Sequence, residues 1–150
     1  MTDNLTGLIW LQNANCFEPR IWSDALLDAN SLADGACNLT DGSSAGDWRL
    51  PNPLEIVSLS NFSQVYPALT PEHLFTNVPT YGSSPYHWTS SSFTALPSSA
   101  YKGNTTTFGY YDYLGKSYAD LLTVWPVRGG HLTALPDPVF ADGFEEENSP

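Results

Sequence analysis

"GDWRLPNPLEIVSL", residues Gly46–Leu59, joins a loop crowded with a Trp, an Arg and a Pro to the start of a helix. The helical half is the easier to read. Asn52 is a helix N-cap, Pro53 suits the first turn because no N–H is needed there, and Glu55 stands three residues on as the reciprocal cap. Leu54, Val57 and either Ile56 or Leu59 are then expected to face the core. The loop half also reads as structure. Trp48 is a large apolar wedge where the polar loop turns into the helix. Arg49 is one of five cations, with Asp47 and Glu55 as candidate partners, and Pro51 stiffens the approach. Trp48, Arg49, Pro51 and Glu55 are therefore expected to hold the fold together and not to form an active site.

Working outward, "MTDNLTGLIWLQNANC" passes from a polar turn into an apolar strand over Leu8 to Leu11. "RIWSDALLDANSLADG" places Trp22, Ala25, Leu26, Ala29, Leu32 and Ala33 at helical spacing, with Asp24, Asp28 and Asp34 toward water and Gly35 as the stop. Beyond Phe62 the texture changes: Pro67, Pro71, Pro79, Pro85 and Pro97 break up helices. "HWTSSSF", "AYKGNTTTFGYY" and "LLTVWPVRG" read as short strands between Gly- and Pro-bearing loops. The expected fold is α+β, two helices early in the chain packed on an irregular antiparallel sheet. Residues 1–130 form the domain, and 131–150 read as an acidic extended tail in which Val139, Phe140 and Phe144 are apolar.

Charge narrows the function. Sixteen acidic residues face five basic ones, a formal −11, and the excess is shared by body and tail. Such a surface repels nucleic acid and anionic lipid at long range, which excludes nucleic-acid binding. No apolar run reaches the roughly 18 residues of a membrane span, so membrane insertion is not expected. Cys16 and Cys37 lack the C-x-x-C spacing of a zinc or redox site and bracket the first helix. A disulfide between them, the alternative to two buried thiols, would favour an oxidising compartment.

Catalytic signals are few. His73, His87 and His131 have no paired-ligand spacing, and no nucleophile elbow, phosphate loop or H-E-x-x-H is present. No cofactor is expected, with one exception to weigh. "TDGSSAGD" offers Asp41 and Asp47 among hydroxyls and carbonyls, the hard oxygens calcium takes, although a plain turn accounts for the same residues. The informative feature is a distribution. Seven of eight tyrosines and 11 of 20 aromatics lie between Tyr81 and Trp125, interleaved with Ser, Thr, Gly and Asn. That combination of rigid amphipathic rings and small hydrogen-bonding residues suits a recognition surface. The candidate contact residues are Tyr86, Trp88, Tyr101, Asn104, Tyr110, Tyr111, Tyr113 and Tyr118, against the alternative that half of these rings face a core.

"TDNLTGLIWLQNA", "DWRLPNPLEIVSL", "YHWTSSS" and "VWPVRGG" follow one another in an order that resembles the bacterial DUF1566 domain, the C-terminal domain of Legionella collagen-like adhesins. The resemblance spans about residues 2 to 130. It implies a C-type-lectin-like fold, related to the formylglycine-generating enzyme fold, in an extracellular or cell-surface module. The collagen-like adhesin binds sulfated glycosaminoglycans as a trimer, whereas five scattered cations cannot supply a basic trench here. The enzymatic relatives use cysteines late in the chain, and none follows Cys37. Of the calcium-lectin sugar motifs the nearest match is Glu18-Pro19-Arg20. The expected function is thus non-enzymatic: secreted or surface recognition of a neutral glycan or a protein. The alternatives are a subunit of an extracellular filament or surface assembly, a homo-oligomer through its tail, and a binding protein diversified by a retroelement.

Overall fold

The computed structural model describes residues 1–64, 67–70, 72–79, 86–105, 111–117 and 120–129. The expectations for Tyr110, Tyr118, His131 and the 131–150 tail lie outside them, as does the Tyr111 side chain. In chain order the elements are β1 (Leu8–Trp10), α1 (Trp22–Ser31), α2 (Pro53–Ser58), β2 (Tyr86–Ser92), β3 (Ser99–Asn104), β4 (Tyr111–Gly115) and β5 (Val127–Gly129). The fold is α+β. β1 and β5 form one antiparallel sheet, and β2, β3 and β4 form a second in the order of the chain.

The apolar run that ends in β5 ties these pieces together. Leu122 and Arg20 exchange two backbone hydrogen bonds, both 3.0 Å. Thr123 donates to Tyr86 O and accepts from Trp88 N, each at 3.1 Å. Pro126, which has no N–H to give, accepts from Leu11 N at 3.0 Å. Val127 and Arg49 exchange two bonds of 2.9 Å, and Trp10 stands opposite Val127. Eight residues near the end of the domain thus meet the lead-in to α1, β2, β1 and the Trp-Arg-Leu-Pro loop.

Two apolar clusters flank this run. One gathers Leu8, Trp10, Leu11, Trp48, Ile56, Trp125 and Val127; the other gathers Ala25, Ala29, Leu50, Trp88, Ala100, Leu122 and Val124. Trp10, Trp48, Trp88 and Trp125 are fully buried. Burying an indole strands its N–H unless an acceptor is at hand. Trp125 donates to Leu11 O at 2.8 Å, Trp88 to Arg20 O at 2.8 Å and Trp48 to Ser43 Oγ at 3.0 Å, while Trp10 Nε1 has no partner among the described residues.

Two local expectations are corrected. α1 stops at Ser31 and not at Gly35, because Leu32 turns extended and buries its side chain in the core. Gly35 instead takes φ +86° in the turn that follows. Leu54 was expected inside and is 72 % exposed; α2 has only six residues, and Ile56 is the one it buries fully.

Candidate functional site

Side chains along β2, β3 and β4 alternate between two faces. On one face Trp88 and Ala100 join Ala25 and Ala29 of α1, with Leu114 and Tyr86 against them. The other face meets α2 at Gly103, where an added Cβ would lie 2.4 Å from Ile56 Cγ2. Toward the opposite end, that same face carries Tyr101 and Tyr113 as a cross-strand pair. Phe93, just past β2, stacks on Tyr113 with centroids 4.5 Å apart and planes 13° apart, and meets Tyr101 edge-on at 5.4 Å. Tyr113 is 45 % exposed. Lys116 Nζ donates to Ser92 Oγ at 2.6 Å and Pro97 O at 2.9 Å, and sits 3.9 Å from the ring centroid of Trp22, which packs with the Trp88 and Ala100 cluster. Phe93, Tyr101 and Tyr113 together form an aromatic patch.

The eight contact residues expected from the sequence therefore divide. Tyr113 is exposed and Tyr101 half-buried, both in the patch. Tyr86 is half-buried beneath Lys102, whose Nζ lies 4.1 Å from its ring centroid. Trp88 and Asn104 are buried and belong to the interior, which corrects their assignment to the surface. Tyr111 pairs with Gly103 through its backbone. Phe93 and Trp22 were not among the candidates. Phe93 ends the "HWTSSSF" run, and strand alternation carried one residue past β2 puts it on the face of His87 and Gly103, which is the face of the tyrosines.

The Asp41 and Asp47 loop is internally satisfied. Asp41 Oδ1 accepts from Ser43 N and Ser43 Oγ, and Asp41 Oδ2 lies 3.0 Å from Arg128 Nη2. The Ser43 hydroxyl above all, with the Ser43 N–H and the Arg128 charge, holds the Asp41 carboxyl below its ordinary range against the opposing effect of burial. Asp47 Oδ2 accepts from Ser44 N at 2.7 Å. Among the described residues no three His, Cys, Asp or Glu side chains gather as a metal-binding group.

Around the opening motif, Arg49 takes Glu55 and not Asp47. Its Nη1 donates to Oε2 at 2.8 Å and its Nη2 to Oε1 at 2.7 Å, a two-pronged pair. Glu55 Oε2 also accepts from Asn52 N at 2.7 Å, while Asn52 Oδ1 accepts from Glu55 N at 2.9 Å, completing the capping box. Burial pushes the Glu55 carboxyl upward; the Arg49 hydrogen bonds, the Asn52 N–H and the Arg49 charge together outweigh it and leave it lowered. Trp48 is buried under Arg128, whose guanidinium carbon lies 5.2 Å from the ring centroid. Pro51 is buried and its carbonyl accepts from Ser90 N at 2.8 Å. Cys16 and Cys37 form a disulfide with Cα atoms 5.9 Å apart.

These features define a disulfide-closed α+β module with an aromatic patch on an antiparallel sheet. The chain belongs to the Lcl C-terminal domain family, whose model matches residues 1–128. That match spans every element up to β5 and marks a bacterial surface module of the adhesin kind. No curated protein and no solved structure matches the chain. Among the described residues no helix is long and apolar enough to cross a membrane.

Proposed function

We propose that the chain is a non-enzymatic recognition module, secreted or displayed at the cell surface, that holds a neutral glycan or a protein against the Phe93–Tyr101–Tyr113 patch. Its two early helices on an antiparallel sheet are compatible with a C-type-lectin-like arrangement. The observation that carries the reading is the patch itself. Large rings stacked on one another lose little further freedom on binding, and Tyr113 offers an exposed face and hydroxyl. The charge of −11 directs the choice toward a neutral or basic partner, because an anionic one meets long-range repulsion.

Glycan and protein arrays probed with the purified protein test this. Binding is expected to fall at least roughly tenfold in Tyr113→Ala and in Phe93→Ala, the cost of losing a ring at the centre of a small interface. Silence on both arrays, or binding that both variants retain in full, would overturn the reading.

A further inference from the structure

A cavity of about 660 Å³ lies away from the sheet that bears the aromatic patch, between the continuation of β1, the loop that follows Cys37 and the Thr76–Asn77 segment. Its size falls in the range of small-molecule sites, roughly 300–1,000 Å³. Its floor is apolar, with Leu11, Leu39 and Trp48. The amides of Asn13, Asn38 and Asn77 and the hydroxyls of Thr40 and Thr76 also line it.

Three observations bear on what it holds. First, the non-glycine residues with positive φ among the described residues are Cys37 (51°), Asn38 (62°) and Asn77 (54°), and all three line this one cavity. Left-handed backbone at non-glycine positions costs energy and collects at binding sites, where the rest of the fold enforces it. Here the enforcement is visible. Cys37 is tied to Cys16, and Asn77 Nδ2 donates to Asn13 Oδ1 at 3.0 Å beside the Asn13–Thr76 bridge. Second, the side chains of Asn38, Thr40 and Thr76 make no hydrogen bond to other described residues, so donors and acceptors of both kinds remain open on the rim. Third, the charged side chains that line the cavity, Asp41 and Arg128, pair at 3.0 Å and cancel, while the Met1 ammonium near them donates to Trp10 O at 2.7 Å.

We infer that this cavity binds a neutral sugar of one or two units. A sugar hydroxyl both donates and accepts, which side-chain amides and hydroxyls match from both directions, while the C–H face of the ring rests on the apolar floor. An anion finds Arg128 already paired with Asp41, the Met1 ammonium engaged with Trp10 O, and the molecule at −11. The inference does not rest on the aromatic patch, which is on other elements.

Saturation-transfer NMR on the intact protein tests it, with glucose, galactose, mannose, N-acetylglucosamine, lactose and diacetylchitobiose as probes and a heparin disaccharide as the anionic comparison. At least one neutral sugar is expected to give saturable transfer. Asn38→Gly and Asn77→Gly keep the left-handed backbone while removing the amides, and each should weaken that binding roughly tenfold, the scale of a lost hydrogen bond. Thr76→Val serves the same purpose if a glycine variant loses its thermal transition. Tyr113→Ala should leave the sugar signal unchanged, whatever it does to a ligand of the patch. No transfer from any neutral sugar at about 10 mM overturns the inference, affinities weaker than this lying beyond specific recognition. So does full retention of binding in the Asn38→Gly/Asn77→Gly double variant, a preference for the heparin disaccharide, or loss of the sugar signal in Tyr113→Ala.

Discussion

Glu55 does two jobs at once: it caps α2 through Asn52 N and pairs with both nitrogens of Arg49. Arg49 in turn exchanges backbone bonds with Val127, so the pair fastens α2 to β5. The Arg49 side chain is 44 % exposed against 15 % for Glu55, and solvent screening reduces what the charge pair alone contributes. Arg49→Ala should therefore cost about 1 kcal/mol, and Glu55→Ala about 2 kcal/mol because the cap is lost as well. Urea titrations read the difference, and equal losses would mean that the cap contributes nothing. Trp48→Ala empties a site that is 1 % exposed. Its cost should be about 3–5 kcal/mol, a large share of a typical domain's stability. The cap was legible in the sequence because Asn52 and Glu55 are three residues apart and meet within one helical turn. The choice of Glu55 over Asp47 was not, since both lie within reach along the chain. Only the fold shows that Asp47 turns back to Ser44 N.

Strand alternation tells which residues share a face, but not which faces are covered. This is why Trp88 and Asn104 were placed at a surface that the structure gives to Tyr101 and Tyr113. The sheet of β2, β3 and β4 is packed by α1 on one face and, at one end, by α2 on the other. Gly103 marks that second contact. Its missing side chain lets β3 approach Ile56, which is fully buried and has no room to retreat. Gly103→Ala should destabilise the protein by about 1–3 kcal/mol through overpacking. In the Gly103→Ala/Ile56→Ala double variant the two costs should sum to less than their total, because the smaller side chain admits the new methyl. Strict additivity in a thermal-melt cycle would remove the clash as the cause. The disulfide acts at the same scale. It closes a 21-residue separation around α1, and its reduction should cost about 3 kcal/mol in the loop-entropy account. The spacing of the cysteines left free thiols open as an alternative; their proximity depends on where the loop after α1 returns. The cavity beyond Cys37 was illegible for a related reason, being assembled from segments around residues 9–13, 37–41 and 76–77. An asparagine in left-handed backbone carries no signature that distinguishes it from any other asparagine.

Across the whole molecule, acid should act in two stages. His87 is fully buried beside Trp125, with Nε2 3.0 Å from Thr105 Oγ1 and Nδ1 without a partner among the described residues. Burial lowers its pKa from 6.5 to about 3, so the native state keeps the ring neutral. The unfolded chain protonates His87 below its ordinary pKa, and the folded chain does not until about pH 3. Stability from this group is thus complete above pH 6.5 and is lost as pH falls toward 3, at about 1.4 kcal/mol per pH unit where the difference is one proton. Glu55 and Asp41, both lowered, add their losses only as pH drops through their unfolded values of 4.5 and 3.8 and below. The net charge opposes these effects: approaching the isoelectric point of 4.2 relieves repulsion among acidic groups. That relief is diffuse and screened beyond about 8 Å at 0.15 M ionic strength, whereas the cost of charging a buried imidazole is not screened. Urea titrations in 0.15 M salt should therefore show stability declining between pH 6.5 and 5, before the two paired carboxylates begin to protonate. His87→Gln, which keeps an amide within reach of Thr105, should flatten that upper stage while leaving the steeper fall below pH 4.5. If the variant and the parent decline in parallel between pH 6.5 and 5, His87 is not the group that acid attacks first.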